Sequence, residues 1–201
     1  MDEVAQVPDK PWMPAEEVEL LTKSLELASC FLEYGAGGST ILAGSIGVKH
    51  IYSVESDRAF LKNVESRLRS VSPNCDFREV YVNIGDTGRL GKPTGFERVQ
   101  NWPKYSSFVW SVLMGSDNPL PDLVLVDGRF RVSSFLCSYY FSSPGTVILF
   151  DDYFERQRYH VVEDILVPIA RAGRMAKFVV PVKKNMDLAF LSILNSVNDF
   201  S

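Results

Sequence analysis

The stretch from Cys30 to Thr40, CFLEYGAGGST, decides the predicted fold. Its first four residues form a short apolar run that ends in the acid Glu33, and such a run is typical of a buried strand. A turn with three glycines follows at once, formed by Gly35, Gly37 and Gly38. A helix is predicted to begin near Ser39. Strand, glycine-rich turn and helix in this order predict a unit whose backbone can approach a ligand closely.

Strands and helices alternate on both sides of this unit. Helical spacing of apolar residues predicts a helix over 15–29, and further strands are predicted at 51–54, 77–82, 123–126 and 146–150. Helices are predicted after Asp57 and over 131–141 and 161–170, and residues 178–182 and 188–194 are predicted to form a terminal hairpin. The alternation predicts an α/β fold with a doubly wound, Rossmann-like, mostly parallel sheet and helices on both faces.

Length and composition favour one soluble domain over residues 1–201. The chain is 46% hydrophobic and 23% charged, its net charge is −4, and no apolar run reaches the ~18 residues of a membrane span. The acidic balance argues against a nucleic-acid partner. Cys30, Cys75 and Cys137 are odd in number and far apart, which indicates reduced thiols and a cytoplasmic location. Residues 84–121 break the alternation, and we interpret them as a substrate-side insertion with a helix at 104–114.

Acidic residues follow the predicted strands, at the point where each strand ends. These acids are Glu33, Glu55, Asp127, Asp151 and Asp152. The ligand crevice of an open α/β sheet lies at the carboxyl ends of its strands, so we expect these acids to converge on one edge.

The first group of acids indicates a cationic nucleotide cofactor. Glu55 lies twenty residues after Gly35, where a carboxylate accepts hydrogen bonds from ribose hydroxyls. Glu33 would repel a pyrophosphate and attract an ammonium group, and Thr40 stands where the NAD fingerprint has its third glycine. A cofactor with a ribose, a carboxylate, an amine and a cationic sulfur therefore suits the pattern. The alternatives are a ligand-free turn, a solvated Glu55, and Asp57 as a helix cap.

These motifs together resemble the class I S-adenosylmethionine-dependent methyltransferases. EYGAGGST is similar to the first motif of that family, VESD to the second, and LVLVDG and VILFDD to those that end strands four and five. The resemblance implies a seven-stranded sheet in the order 3-2-1-4-5-7-6, with Glu55 on the ribose. It leaves Asn83 and Asp86 as alternatives for the adenine contact. The implied cofactor-binding residues are Glu33, Gly35, Gly37, Gly38, Ser39, Glu55, Asn83 and Asp127.

The second group of acids points to the acceptor. Asp127, Asp151 and Asp152 resemble the acids of metal-dependent O-methyltransferases of the catechol type, and FDDY resembles the macrolide-sugar enzymes. Three clustered carboxylates need a cation or protons, so they are candidate ligands for Mg²⁺. The alternative is that Asp152 caps a helix and Asp127 orients the cofactor. Asp127 and Asp151 are also candidate catalytic residues, and His160 is either a general base or an exposed helix residue.

Two further sets of residues near this edge have alternative roles. Arg129 and Arg131 either hold a carboxylate or phosphate of the substrate or form ion pairs with the aspartates. Trp102, Tyr105 and Trp110 either form a lid or pack in the core. We therefore predict methyl transfer from S-adenosylmethionine to a small-molecule acceptor, at oxygen. The alternative is a non-catalytic methyltransferase-like domain or an NAD-binding Rossmann domain, and a homo-oligomer stays open.

Overall fold

A seven-stranded sheet organises the computed structural model, which describes residues 7–115, 117 and 119–200. The strands are β1 (Cys30–Tyr34), β2 (His50–Glu55), β3 (Asp76–Tyr81), β4 (Leu123–Val126), β5 (Val147–Phe150), β6 (Ala170–Ala172) and β7 (Met175–Val179). Their order is β3-β2-β1-β4-β5-β7-β6, with parallel pairing among the first five and antiparallel pairing of β7 with β5 and β6. The predicted fold class and strand order are confirmed.

Helices cover both faces of the sheet because the strands are apolar on both faces. They are α1 (Ala15–Leu25), α2 (Gly38–Ile46), α3 (Arg58–Val71), α4 (Trp102–Met114), α5 (Arg131–Phe141) and α6 (Met186–Ser196). One core joins α1, α2 and α3 to the sheet, and the other joins α4, α5 and α6 to the opposite face. The domain expected over residues 1–201 also includes residues 1–6, 116, 118 and 201, which lie outside the described part.

Parallel register brings the ends of the central strands together. Glu33 of β1 pairs with Ser53 of β2 and Leu125 of β4, and Val126 of β4 pairs with Phe150 of β5. The residues that follow β1, β2, β4 and β5 therefore meet at the same edge of the sheet, where a ligand crevice is expected.

The C-terminal part of the prediction is wrong in its elements. Residues 157–164 form a 3₁₀ helix instead of a helix over 161–170, and Ala170–Ala172 is strand β6. The hairpin is β6 and β7, which turn at Gly173 with a φ of 54°, and it is not formed by 178–182 and 188–194. Residues 188–194 lie within α6, where the side chain of Asn185 accepts a hydrogen bond from the amide of Leu188 at 3.2 Å. A short apolar run fits a helix and a strand equally well, which explains the error.

The segment 84–121 is partly core. Its helix α4 crosses from β3 to β4, and the side chains of Trp102, Tyr105 and Trp110 are almost fully buried. The indole nitrogen of Trp110 donates to the hydroxyl of Tyr34 at 2.8 Å, and that of Trp102 donates to the carbonyl of Ile84 at 3.0 Å. These aromatic residues pack in the core and form no lid.

Two absences among the described residues match the composition. None of the helices described there has the length and apolar character needed to cross a bilayer. Cys30, Cys75 and Cys137 are buried, and each is a free thiol.

Candidate functional site

An open cleft of about 1410 Å³ lies at the carboxyl ends of the strands. Its walls are the glycine turn after β1, the end of β2, the loop at 87–91, and the ends of β4 and β5. Residues 8 and 10–14, which precede α1, form a further wall. Of the five acids predicted to converge on this edge, Glu55, Asp127, Asp151 and Asp152 line the cleft, and Glu33 does not.

The three glycines of the turn have three different surroundings. Gly35 has a φ of 94°, and a Cβ there would lie 2.9 Å from Cα of Gly128, so the turns after β1 and β4 touch through their backbones. A Cβ on Gly38 would lie 2.1 Å from the carbonyl oxygen of Lys10. A Cβ on Gly37 would meet no heavy atom within 4 Å. Gly37 lines the cleft, so it is the position at which the turn is open to a ligand.

Glu33 lies beneath the turn and is fully buried. Its carboxylate accepts hydrogen bonds from the hydroxyls of Ser39, Thr40 and Ser53. Burial raises the pKa of Glu33 to about 7, although the three hydroxyls oppose that shift. Thr40 in turn accepts a hydrogen bond from the amide of Gly37 at 3.0 Å. Glu33 does not line the cleft, and in this structure it fixes the shape of the turn from below.

Glu55 lines the cleft at the end of β2. Its Oε1 accepts hydrogen bonds from the amides of Ser56 at 2.6 Å and Asp57 at 3.0 Å. Burial raises the pKa of Glu55, and the backbone amides of Asp57 and Ser56 oppose the rise. The side chain of Asp57 accepts from the amide of Phe60 at 2.9 Å, so Asp57 caps α3 as the cap alternative predicted.

Neither of the two residues considered for the adenine contact, Asn83 and Asp86, lines the cleft after β3. Asn83 is exposed, its Oδ1 accepts from the amide of Gly85 at 3.0 Å, and it does not line the cleft. Asp86 is also exposed and outside the lining. The loop at 87–91 reaches the cleft instead, with a bridge between Thr87 and Pro93 that closes it. Sequence reasoning missed this loop because its position depends on contacts far along the chain.

Asp127 and Asp151 form a coupled pair at the ends of β4 and β5. Both side chains lie in the cleft lining, and Oδ1 of Asp151 is buried without a hydrogen-bond partner among the described residues. Burial raises the pKa of each carboxyl group, and repulsion between the two raises that of Asp151 further. The side chain of Asp127 is 30% exposed, whereas that of Asp151 is 6% exposed. Both shifts favour protonation within the pair, and Asp127 is the member that is open to the cleft.

Arginine side chains neutralise the three aspartates. Arg131 is buried and lies 2.9 Å from Oδ1 of Asp127 and 3.2 Å from Oδ2 of Asp152. Arg156 and Arg174 add ion pairs to Asp152 at 2.6 and 2.9 Å. No group of three or more possible metal ligands is arranged to hold an ion in the part of the chain that is described. The carboxylate oxygens face guanidinium groups, so this donor set does not fit Mg²⁺.

The turns after β4 and β5 both contain a residue in the left-handed region. Phe130 has a φ of 53° and Asp152 a φ of 57°, and neither is a glycine. Such conformations are rare for these residue types and persist where the surroundings hold them. Asp152 has no side-chain capping hydrogen bond to the following 3₁₀ helix, so its predicted role as a cap is not seen.

The two arginines of the DGRFR segment have different surroundings. Arg131 donates to the carbonyls of Gly128 at 3.0 Å and Asp151 at 2.8 Å, so it is a structural ion-pair residue. Arg129 also lines the cleft, but its guanidinium has no acceptor among the residues the structure describes. Its Nε is buried without a hydrogen-bond partner. Burial and the neighbouring Arg131 lower the pKa of Arg129.

His160 lies away from the cleft. Its ring stacks on Tyr153 with 4.8 Å between ring centroids, and its Nε2 is 3.2 Å from the carbonyl oxygen of Tyr153. The structure therefore does not bring His160 to the strand-end aspartates.

Sequence reasoning missed two further parts of the cleft. The N-terminal segment supplies Trp12, whose side chain is 86% exposed, and the backbone of Lys10 and Pro11 packs on Gly38. Arg174 forms ion pairs with Asp152 at 2.9 Å and with the fully buried Glu17 of α1 at 3.2 Å. Both features depend on contacts between distant residues, which no local pattern reveals.

Solved structures resemble the chain over nearly its whole length. A methyltransferase-like protein from Silicibacter pomeroyi DSS-3 is 34% identical with a TM-score of 0.82, and the match covers 96% of this chain and 100% of that one. An O-methyltransferase from Bacillus cereus in complex with SAH is 15% identical with a TM-score of 0.57, covering 87% and 84%. An SAH-bound methyltransferase from Podospora anserina is 10% identical with a TM-score of 0.54, covering 85% and 80%. No family model matches the chain, and no curated protein sequence does.

Proposed function

Because the chain belongs to the class I S-adenosylmethionine-dependent methyltransferase family, we propose that it binds this cofactor in the cleft and methylates an oxygen of a small molecule. The observation that carries the proposal is the placement of Gly37 and Glu55 together on the cleft wall. When bound, the cofactor supplies an electrophilic methyl group on a sulfonium.

The β1–β2 side of the cleft supports binding of the cofactor. Gly37 leaves open space at the turn, and the first amides of α2 favour the carboxylate of a ligand. Glu55 has backbone amides on Oε1 that fix its orientation, and its carboxylate is available to ribose hydroxyls. The loop at 87–91 and Phe60 supply further walls of the same side of the cleft.

The β4–β5 side supports deprotonation of an acceptor hydroxyl. An oxygen that takes a methyl group must lose its proton, and a base of raised pKa near the oxygen assists this loss. Asp127 is partly exposed to the cleft, Asp151 ends the adjacent strand, and the pKa of each is raised, so the pair can take up that proton. Arg131 stabilises the ionised form of Asp127, which is the form that accepts the proton, through its contact with that residue. The residues therefore suit an alcohol or phenol acceptor.

Mg²⁺ is not part of this proposal. The oxygens of Asp127 and Asp152 that would bind it contact Arg131, Arg156 and Arg174 instead. A cation would have to displace these guanidinium groups, so no step of the reaction is assigned to a metal.

Calorimetry with S-adenosylhomocysteine and with NAD tests the cofactor assignment. We expect the former to bind and NAD to bind at least about 100-fold more weakly, because Glu33 and Thr40 replace the features of an NAD site. Tight NAD binding without a response to S-adenosylhomocysteine would establish the NAD-binding alternative. Binding without turnover of any hydroxylated acceptor would support the non-catalytic alternative.

The pH dependence of turnover tests the base. We expect activity to rise with pH as the Asp127–Asp151 pair loses its proton, because the deprotonated pair is the active form. Asp151→Asn removes the repelling charge beside Asp127, which lowers the pKa of Asp127 and moves the rising limb to lower pH. Asp127→Asn removes the base and abolishes the limb. An unchanged pH profile in Asp127→Asn would refute this role of the pair.

A further inference from the structure

We propose that Arg129 binds a carboxylate of the acceptor, which makes the substrate class hydroxylated carboxylic acids. This inference rests on the proposed function, since it names the acceptor of the same cleft. It starts from the difference between Arg129 and the other arginines of the lining. Arg131, Arg156 and Arg174 each contact an aspartate within 3.3 Å, whereas Arg129 has no ion pair with any described residue.

The backbone around Arg129 is held in place by the core. Its amide donates to the hydroxyl of Tyr105 at 3.3 Å, and its carbonyl oxygen accepts from the hydroxyl of Ser134 at 3.5 Å. The next residue, Phe130, is fully buried in a left-handed conformation, with ring centroids 5.3 Å from Tyr105 and 5.7 Å from Trp102. The left-handed conformation of Phe130 is unfavourable, and the packing of its ring offsets that cost. The result is a guanidinium presented from a fixed turn at the cleft.

Arg129 lies beside the aspartates of the proposed acceptor site. Its charge interacts with Arg131 and Arg156, which pair with those aspartates, and with Tyr105 and Tyr159. On its other side, a Cβ on Gly91 of the loop at 87–91 would lie 4.0 Å from Cγ of Arg129. Asp127, the exposed member of the proposed base pair, starts the same turn two residues earlier. An acceptor held by Arg129 would therefore lie beside the base.

Charge favours a carboxylate over a phosphate. The lining contains six carboxylates and five basic side chains, and Arg131, Arg156 and Arg174 are already paired with its aspartates. The single positive charge of Arg129 balances a carboxylate, whereas a phosphate dianion would keep one uncompensated negative charge beside these acids. The planar guanidinium matches a carboxylate with two parallel hydrogen bonds. A bound carboxylate would also supply the counter-ion that the half-buried Arg129 lacks among the described residues.

A binding experiment with small probes tests this assignment. Benzoate, benzamide and phenyl phosphate are titrated into the protein with and without S-adenosylhomocysteine, and binding is followed by NMR. We expect benzoate to bind at least about 10-fold more tightly than benzamide, as a hydrogen bond to a charged group implies. Arg129→Gln should remove the preference, and Arg129→Lys should retain part of it, because an ammonium keeps the charge without the fork. The lysine variant keeps the test valid if the glutamine variant does not fold.

Arg158→Gln is the matched control. Arg158 is exposed, lies over the ring of the neighbouring Tyr159 at 5.3 Å and is outside the cleft lining. We expect this variant to keep the preference for benzoate. Equal loss in both glutamine variants, or benzoate binding unaffected by Arg129→Gln, would overturn the proposal. An Arg129-dependent preference for phenyl phosphate over benzoate would overturn the choice of a carboxylate.

The two proposals fail separately in this design. Failure of the wild-type protein to bind S-adenosylhomocysteine would refute the proposed function, whereas the benzoate preference without the cofactor decides the role of Arg129.

Discussion

The two sides of the cleft stabilise buried acids in different ways. On the β1–β2 side, Glu33 receives hydroxyls and Glu55 receives backbone amides, and all of these donors are neutral. On the β4–β5 side, Asp127 and Asp152 contact guanidinium groups, with Arg131 joining them. Neutral donors add no positive charge beside an acid, whereas arginines offset the charge of the aspartates that they contact.

This difference separates the tasks of the two sides. Glu55 lines the cleft and has only neutral donors, so in its ionised form it attracts a cation, as the proposed cofactor requires. Aspartates paired with arginines provide a nearly neutral wall, and we propose that the unpaired Arg129 binds an anion there. The partner residues of the strand-end acids therefore differ between the two sides.

Substitution of Arg131, the arginine that joins Asp127 and Asp152, should have the largest effect on stability. Arg131→Met keeps the packing of the aliphatic part of the side chain. It removes the buried guanidinium that contacts Asp127 and Asp152. We expect a loss of about 3–5 kcal/mol in the free energy of unfolding, measured by urea denaturation. Arg129→Met is the matched control and should cost less than about 1 kcal/mol, since Arg129 has no ion pair. Similar losses in both variants would mean that Arg131 is not the structural member of the pair.

The sequence predicts most of the fold because its strands are continuous apolar runs. LVLV and VILF are too short for helices and are followed by acids, and the predicted helix over 131–141 matches α5. The C-terminal error at 188–194 has a specific cause, since LAFLSIL has no clear period of two or 3.6 residues. Asn185 as a helix cap and Gly173 as a turn residue were the signals that favoured the observed elements.

The site is predicted less completely than the fold because its geometry depends on distant contacts. Local motifs predict that Glu55 and Asp127 reach one edge. They do not reveal that Glu33 is enclosed by three hydroxyls, or that Arg174 reaches from β7 to Asp152. The contact between Lys10 and Gly38 is likewise invisible in a linear pattern.

A side chain at the glycine turn should have the next largest effect. Gly37→Val places a branched side chain in the open space of the cleft wall, so we expect S-adenosylhomocysteine to bind at least about 1–3 kcal/mol more weakly by calorimetry. Gly38→Ala is the contrasting variant, because its Cβ would clash with the carbonyl of Lys10 and displace the N-terminal segment. It should lower the melting temperature. Unchanged affinity in Gly37→Val would place the ligand elsewhere.

Substitution of Glu55, the proposed acceptor of the ribose hydroxyls, should weaken cofactor binding to a comparable or smaller extent. Glu55→Ala leaves two ribose hydroxyls without their acceptor, which should weaken S-adenosylhomocysteine by about 1–3 kcal/mol. Asp57→Ala is the matched control, since it removes a helix cap worth about 1 kcal/mol of stability and not a ribose contact. If both variants lose affinity equally, Glu55 has no specific role toward the ribose.

The smallest effect concerns the pH dependence of stability on the neutral-donor side. Burial raises the pKa of Glu33 from its usual 4.5 to about 7, so between these values the folded protein holds a proton that the unfolded chain releases. This contribution to stability is complete below about pH 4.5 and is lost as the pH rises toward 7, with a slope of up to about 1.4 kcal/mol per pH unit. Glu33→Gln keeps one acceptor oxygen, which can serve Ser53 and Thr40, and replaces the oxygen that faces Ser39 by an amide nitrogen. The variant does not titrate at this position, so its stability should fall less over the same range. Urea denaturation of both proteins at several pH values measures the difference. Parallel stability curves would show that Glu33 stays ionised beneath the turn and that its three hydroxyls outweigh its burial.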